Sequence, residues 1–110
     1  MKYLNQGRDY NHNRTNGLEF SDHNDAEKLS AGVAIRHALP EGANWVLLSP
    51  TGVVYVLFGD ASVTAAVPST TITDGSASVP NLGLIRMPAG ATHLSLISPA
   101  DCVVTLSFWM

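Results

Sequence analysis

The sequence predicts an all-β fold: a single antiparallel β-sandwich, jelly-roll-like, of about eight short strands, preceded by an extended polar N-terminal arm. Short apolar runs separated by Gly- and Pro-containing turns recur through residues 31–110. No segment there has a helical period long enough for the crossover of a parallel sheet. With 110 residues the chain has room for one domain. We therefore divide it into an arm, residues 1–30, and a sandwich body, residues 31–110.

The boundary between arm and body follows the distribution of charged side chains along the sequence. The first thirty residues hold nine of the fifteen charged side chains, and the remaining eighty hold six. A globular domain usually has about a quarter charged residues, so a body this poor in charge indicates an exterior that is partly covered by other protein.

The arm has few apolar residues, and no helical or strand period links them. Left in water, such a segment buries too little to offset its ordering entropy. Near its end, Asn24 is a possible helix cap, Asp25 and Glu27 suit a helix N-terminus, and Gly32 is a possible stop. We therefore predict one or two helical turns at the end of the arm.

The body begins with residues 33–39, where apolar and other side chains alternate with the period of a strand. Seven further strands are predicted from similar runs between turns: residues 44–49, 52–58, 61–67, 70–73, 79–87, 91–98 and 102–109. The short loop at Pro50–Gly52 predicts a hairpin between the second and third strands. Pro80 restricts its strand to a sheet edge or a bulge, because proline has no N–H for the ladder.

Two strands suggest a role as well as a fold. Residues 53–58 are apolar on both faces, which indicates a strand covered on both sides, or one with some exposed valines. If Val104, Leu106 and Phe108 point inward, Trp109 points outward and becomes a candidate interface anchor. The alternative is that Trp109 folds over the end of the sandwich.

Composition argues against several functional classes. The net charge of −3 gives no basic footprint for nucleic acid. The single cysteine allows no internal disulfide, and the longest apolar run is far too short for a membrane span. The polar N-terminus shows no secretory signal, so we expect synthesis in the cytoplasm.

Catalytic and metal-binding patterns are also missing. His12 and His23 have no common zinc spacing, and Asp22-x-Asn24 fails as a calcium loop. The many serines, with His37, His93 and Asp60, supply the residue types of a catalytic triad, but the sequence has no Gly-x-Ser-x-Gly nucleophile elbow. We therefore expect no enzyme activity, cofactor or metal.

Several segments of the body nevertheless resemble small virion structural proteins of tailed bacteriophages, in particular capsid decoration, or cement, proteins. They are Trp45-Val46-Leu47-Leu48, Pro50-Thr51-Gly52, Phe58-Gly59-Asp60-Ala61-Ser62-Val63 and Pro88-Ala89-Gly90-Ala91-Thr92-His93-Leu94-Ser95. The resemblance covers residues 33–109 and consists of strand and turn segments, not a catalytic signature. It implies a non-enzymatic sandwich subunit in the virion that oligomerises, as a dimer or trimer, and contacts the major capsid protein or another virion protein.

The arm lies outside this resemblance, so its role as a clamp on neighbouring capsid subunits is inferred from composition. The candidate interface residues combine charge or aromatic area with a predicted arm or strand position. They are Tyr3, Tyr10, Arg14 and Phe20 in the arm, and Trp45, Tyr55, Phe58 and Trp109 in the body. A tail or baseplate component and a small carbohydrate-binding module remain alternatives.

Overall fold

The computed structural model describes residues 1–4, 6–8 and 14–110, and the side chains of residues 1–4 and 17–110. This part of the chain contains strands and no helix. The strands are β1 Gln6–Arg8, β2 Arg14–Leu18, β3 Asn24–Leu29, β4 Ile35–Ala38, β5 Trp45–Pro50, β6 Tyr55–Gly59, β7 Val79–Pro80, β8 Leu84–Arg86, β9 His93–Ile97 and β10 Cys102–Trp109.

Eight of these strands form two four-stranded antiparallel sheets. The front sheet has the order β3-β10-β5-β8, and the back sheet has the order β4-β9-β6-β7. The pairs nest within one another along the chain: β3 with β10, β4 with β9, β5 with β8 and β6 with β7. This nesting is the jelly-roll arrangement of two packed sheets, and it confirms the predicted all-β sandwich.

The core lies between the sheets and is built from every second residue of their strands, as the two-residue period of a strand requires. In β10, Val104, Leu106 and Phe108 are fully buried. They pack in one cluster with buried side chains of both sheets: Leu29, Val46, Leu48, Val54, Val56, Leu94 and Leu96.

Residues 24–29 form a strand, so the predicted helical turns are wrong. β3 pairs with β10 along its whole length, from Asn24 opposite Ser107 to Leu29 opposite Cys102. Burial in β3 alternates residue by residue and ends at the buried Leu29. The strand period therefore overrides the capping signals, and the predicted arm contributes its last strand to the front sheet.

The predicted hairpin at Pro50–Gly52 is also wrong, because β5 and β6 belong to different sheets. After Pro50 the chain stays beside β10: the Thr51 N–H donates to the Val103 carbonyl, and the Val103 N–H donates to Thr51 Oγ1. β5 already has β10 and β8 as neighbours, so the chain crosses to the back sheet instead of turning back.

The predicted strand at residues 79–87 divides into β7 and β8, which lie in different sheets. Between them Asn81 has a left-handed backbone conformation with φ 52°, which ends the extended run. β7 pairs only with β6 among the described strands, so Pro80 occupies an edge strand, as its missing N–H predicts.

Residues 60–78 contain no strand, contrary to the two predicted there. Their backbone bonds to side chains instead of to a neighbouring strand. The Ala65 N–H donates to Ser95 Oγ at 2.8 Å, and the Val63 carbonyl accepts from Arg36 Nε at 2.6 Å. Ser95 is fully buried and Ala65 is nearly so, so this segment covers the outer face of the back sheet.

In the apolar strand at residues 53–58 one face lies in the core and the other is partly covered. Val54 and Val56 are buried in the core, whereas Tyr55 and Leu57 are half-buried and Val53 is exposed. One valine of the strand is thus exposed, and the described residues leave the outer side of β6 partly open. Cover of this side by a partner subunit stays a prediction.

We expect Phe108→Ala to lower the free energy of unfolding by about 3–5 kcal/mol, because it leaves a cavity in the core. Val103→Ala removes an exposed side chain of the same strand and should cost less than about 1 kcal/mol. Urea denaturation of both variants measures the difference, and equal losses would contradict the assigned core.

Candidate interaction site

The first residues of the chain are fixed beside its last residue. The Met110 N–H donates to the Lys2 carbonyl at 2.8 Å, and the Leu4 N–H donates to the Met110 carbonyl at 3.3 Å. The Met1 amino group lies 3.8 Å from Asp22 Oδ1, and the Met1 side chain packs against the core. This end of the predicted arm is therefore part of the folded body.

Strands β1 and β2 form a separate two-stranded sheet. They pair with each other and with no other described strand, and the register shifts between Gln6 and Arg8. A lone two-stranded hairpin is at best marginally stable in water. Further contacts to a partner would therefore strengthen this hairpin.

A groove separates the end of this hairpin from the outer face of the front sheet. Its volume is about 440 Å³, and we call it the front groove. It is lined by Leu18, Glu19, Phe20, Ser21, Asn24, Leu47, Ser49, Thr105, Ser107 and Trp109. The outer positions of β5 and β10 hold small side chains here, Ser49, Thr105 and Ser107, which leaves the space open.

Three of the six polar side chains that line the front groove, Ser21, Asn24 and Ser107, are joined by hydrogen bonds. Ser107 Oγ donates to Asn24 Oδ1 at 2.6 Å, and Asn24 Nδ2 donates to the Ser21 carbonyl at 2.7 Å. Ser21 Oγ in turn donates to the Phe108 carbonyl at 2.7 Å. Apolar side chains, Leu18, Phe20, Leu47 and Trp109, and the polar side chains of Glu19, Ser49 and Thr105 complete the lining.

Two of the four predicted arm residues have described side chains, and both are exposed: Tyr3 at 66% and Phe20 at 84%. Phe20 lies at the front groove, with Leu18, which is also exposed, two residues before it. Arg14 begins β2, but its side chain lies outside the described residues, as does the whole of Tyr10.

Trp109 lines the front groove on the face of β10 opposite Phe108, but it is only 2% exposed. The prediction that its side chain is displayed on the surface is therefore wrong. Its indole N–H is buried and has no hydrogen-bond partner among the described residues. Strand alternation gave its face, but it could not show that this face is covered.

The other predicted aromatics of the body are half-buried and lie on both sheets. Trp45 pairs with Trp109 in the front sheet, with the Arg86 guanidinium 6.0 Å above its ring. Tyr55 and Phe58 belong to the back sheet, and Phe58 packs against the core. Of the predicted body residues, the structure thus brings only Trp45 and Trp109 together. The interface role of Trp45, Tyr55 and Phe58 stays a prediction.

The candidate acids of the body lie in turns. Asp60 Oδ1 accepts bonds from the N–H and hydroxyl of Ser62, which hold the pKa of Asp60 below its usual value. Ser76 does the same for Asp74. His93 Nδ1 contacts Thr92 Oγ1. Within residues 17–110, no serine hydroxyl bonds to a histidine ring.

Comparisons with family models, with curated proteins and with solved structures found no match to this chain. The part of the chain that the structure describes has no helix long and apolar enough to cross a membrane. It also has no group of three His, Cys, Asp or Glu side chains placed to hold a metal ion.

We expect Ser62→Ala to raise the pKa of Asp60 toward its ordinary value, because the hydroxyl bond that favours the ionised carboxylate is lost. An NMR titration of the Asp60 carboxyl measures this rise. The matched variant Ser76→Ala should raise the pKa of Asp74 and leave Asp60 unchanged. Because the pKa of Asp60 is lower in the folded chain than in the unfolded one, its ionised carboxylate stabilises the fold at pH values above the unfolded pKa. This stabilisation is lost as the pH falls through the folded pKa.

Proposed function

We propose that this chain is a non-enzymatic structural protein of a tailed-phage particle, which decorates and cements the capsid by attaching through its N-terminal segment. Its partner would be the major capsid protein or another virion protein. The observation that carries the proposal is the exposure of Tyr3 and Phe20, at 66% and 84%, beside a sandwich that needs neither for its core.

The first support is the self-sufficiency of the sandwich. The nested strands bury a continuous core from both sheets without Tyr3, Leu18 or Phe20. Leu18 and Phe20 line the same groove, and adjoining apolar side chains that remain exposed are typical of binding surfaces. Aromatic residues are also enriched among the residues that dominate interface energies.

The second support is the N-terminal hairpin. β1 and β2 gain no strand partner from the described part of the body. A partner that packs against the hairpin would supply the burial that a lone hairpin lacks. Ordering such a segment subtracts from the binding free energy, so the hairpin conformation already present would reduce that cost.

The third support is the nature of the body surface. Residues 31–110 carry only six charged side chains, so little charge must lose its hydration when this body meets another protein. Oligomers of the body, dimers or trimers, would place several N-terminal segments on one part of the shell. Several linked attachments then strengthen binding beyond that of one.

A tail or baseplate component would use the same residues on a different partner. Imaging of particles that carry the labelled protein distinguishes the head from the tail.

The carbohydrate-binding alternative has one favourable feature, the exposed Phe20 ring beside the front groove. Selective binding on a glycan array that depends on Phe20 would support it in place of cementing.

We expect Tyr3→Ser and Phe20→Ser each to weaken attachment to particles at least about tenfold, which corresponds to about 1.4 kcal/mol. Co-sedimentation with particles that lack the protein measures the affinity. Ile72→Ser is the matched control, since Ile72 is an exposed apolar side chain, 39% exposed, in the segment that covers the back sheet. Equal affinities of all three variants and the wild type would overturn the proposal.

We also expect a chain without residues 1–20 to keep its β-sandwich and to lose attachment. It should unfold more easily than the full chain, because it lacks the Met1 packing and the backbone bonds of Lys2 and Leu4 to Met110. Circular dichroism with thermal unfolding tests the fold, and co-sedimentation tests the binding. Retained attachment would contradict the role given to the N-terminal segment.

A further inference from the structure

A histidine joins the two sheets at one side of the sandwich. His37 lies on β4, an edge strand of the back sheet, and is 15% exposed. Its Nε2 lies 2.8 Å from Asp25 Oδ2, and its Nδ1 lies 2.9 Å from Glu27 Oε2. Both carboxylates belong to β3, an edge strand of the front sheet. This arrangement, His37 with Asp25 and Glu27, is called the edge clamp below.

The edge clamp contains one donor too few when the imidazole is neutral. An ionised carboxylate only accepts hydrogen bonds, and a neutral imidazole has a single N–H. With both carboxylates ionised, both short contacts are hydrogen bonds only if His37 carries a proton on each ring nitrogen. Charge-assisted bonds of this kind are stronger than neutral ones, so one added proton strengthens both.

A phenylalanine ring and a second histidine adjoin the edge clamp. His37 lies nearly parallel to the Phe108 ring, at 11° and a centroid distance of 6.0 Å, within reach of a cation–π attraction. His23 Nε2 lies 3.4 Å from the same Asp25 oxygen. The His23 ring packs edge-to-face against the Phe108 ring, with 5.6 Å between the ring centroids.

The other charged or titratable side chains described on β3, β4 and β9 do not contact the His37 ring. Arg36, next to His37 on β4, donates to Val63, Ser62 and Thr64. His93 on β9 contacts Thr92, and Lys28 is exposed on β3, where its position alternates with those of Asp25 and Glu27. Among the side chains of residues 1–4 and 17–110, the titratable groups in contact with the clamp are thus the two carboxylates and His23.

We propose that the edge clamp is a proton-dependent lock that closes β3 onto β4. When the His37 ring carries two protons, both carboxylates are engaged and the two edge strands are joined. Loss of one proton breaks one of the two bonds and leaves a carboxylate beside an unprotonated nitrogen. The lock is therefore closed at lower pH and opens as the pH rises.

The lock acts on the base of the N-terminal segment. Residues 21–23 connect this segment to β3 and are held by the Ser21 hydroxyl bond to the Phe108 carbonyl and the Phe108 N–H bond to the His23 carbonyl. The same Ser21 lines the front groove. The edge clamp is therefore built on the strand that follows one wall of the front groove.

The test measures the His37 ring directly. Nitrogen-15 NMR of the full chain reports whether one or both ring nitrogens carry a proton between about pH 5.5 and about pH 9. We expect both to be protonated at the acid end and one to lose its proton on raising the pH. The thermal midpoint should fall over the same pH interval, by about 4 °C or more for a domain of this size.

The matched variants separate the lock from ordinary titration. In the double variant Asp25→Asn, Glu27→Gln the neutral amides can accept from or donate to a neutral ring, so the fall in midpoint should disappear. His93→Gln removes a histidine outside the clamp and should keep the wild-type fall. If the double variant does not fold, the single variant Glu27→Gln takes its place. It keeps Asp25 as a partner of the ring, so the fall in its midpoint should be smaller than that of the wild type. A His37 ring with a single proton across the whole range would overturn the lock. So would a fall in the wild-type thermal midpoint that is no larger than the fall in the folded variant.

Discussion

The structure depends most on the central strand β10. It pairs with β3 on one side and β5 on the other, and its inward residues Val104, Leu106 and Phe108 fill the middle of the core. Its outward row ends at Trp109 in the wall of the front groove, and the following Met110 binds Lys2 and Leu4. The core, the front groove and the contacts of Lys2 and Leu4 thus all depend on the eight residues of β10 and on the following Met110.

The sequence predicts those strands whose alternation coincides with sheet pairing. Residues 102–109 match β10 at both ends, and the strands around residues 33–39, 44–49 and 91–98 are each found within a few positions. The errors arise where local signals compete with distant partners. Asn24 and Asp25 have helix-start chemistry, yet β10 offers their backbone a full ladder. Pro50–Gly52 has turn chemistry, yet the next strand belongs to the opposite sheet.

The candidate site was only partly predictable. Exposure of Tyr3 and Phe20 follows from their isolation in a polar segment, and strand alternation gives the face of Trp109. Its burial does not follow, because it depends on what lies over the sheet. The contact of His37 with Asp25 and Glu27 was concealed by the helix prediction: residues two apart share a face on a strand but not on a helix. The edge clamp becomes visible only when β3 and β4 are known to be edges of opposite sheets.

The meeting of the two chain ends has a practical consequence. Because Met110 is bonded to Lys2 and Leu4, a fusion at either terminus would emerge beside the hairpin and could obstruct the very surface under study. The turn at Asp74 and Gly75 belongs to the segment that covers the back sheet, and the residues on either side of it are exposed. A fluorophore or short peptide inserted there would leave both chain ends and the lining of the front groove unmodified.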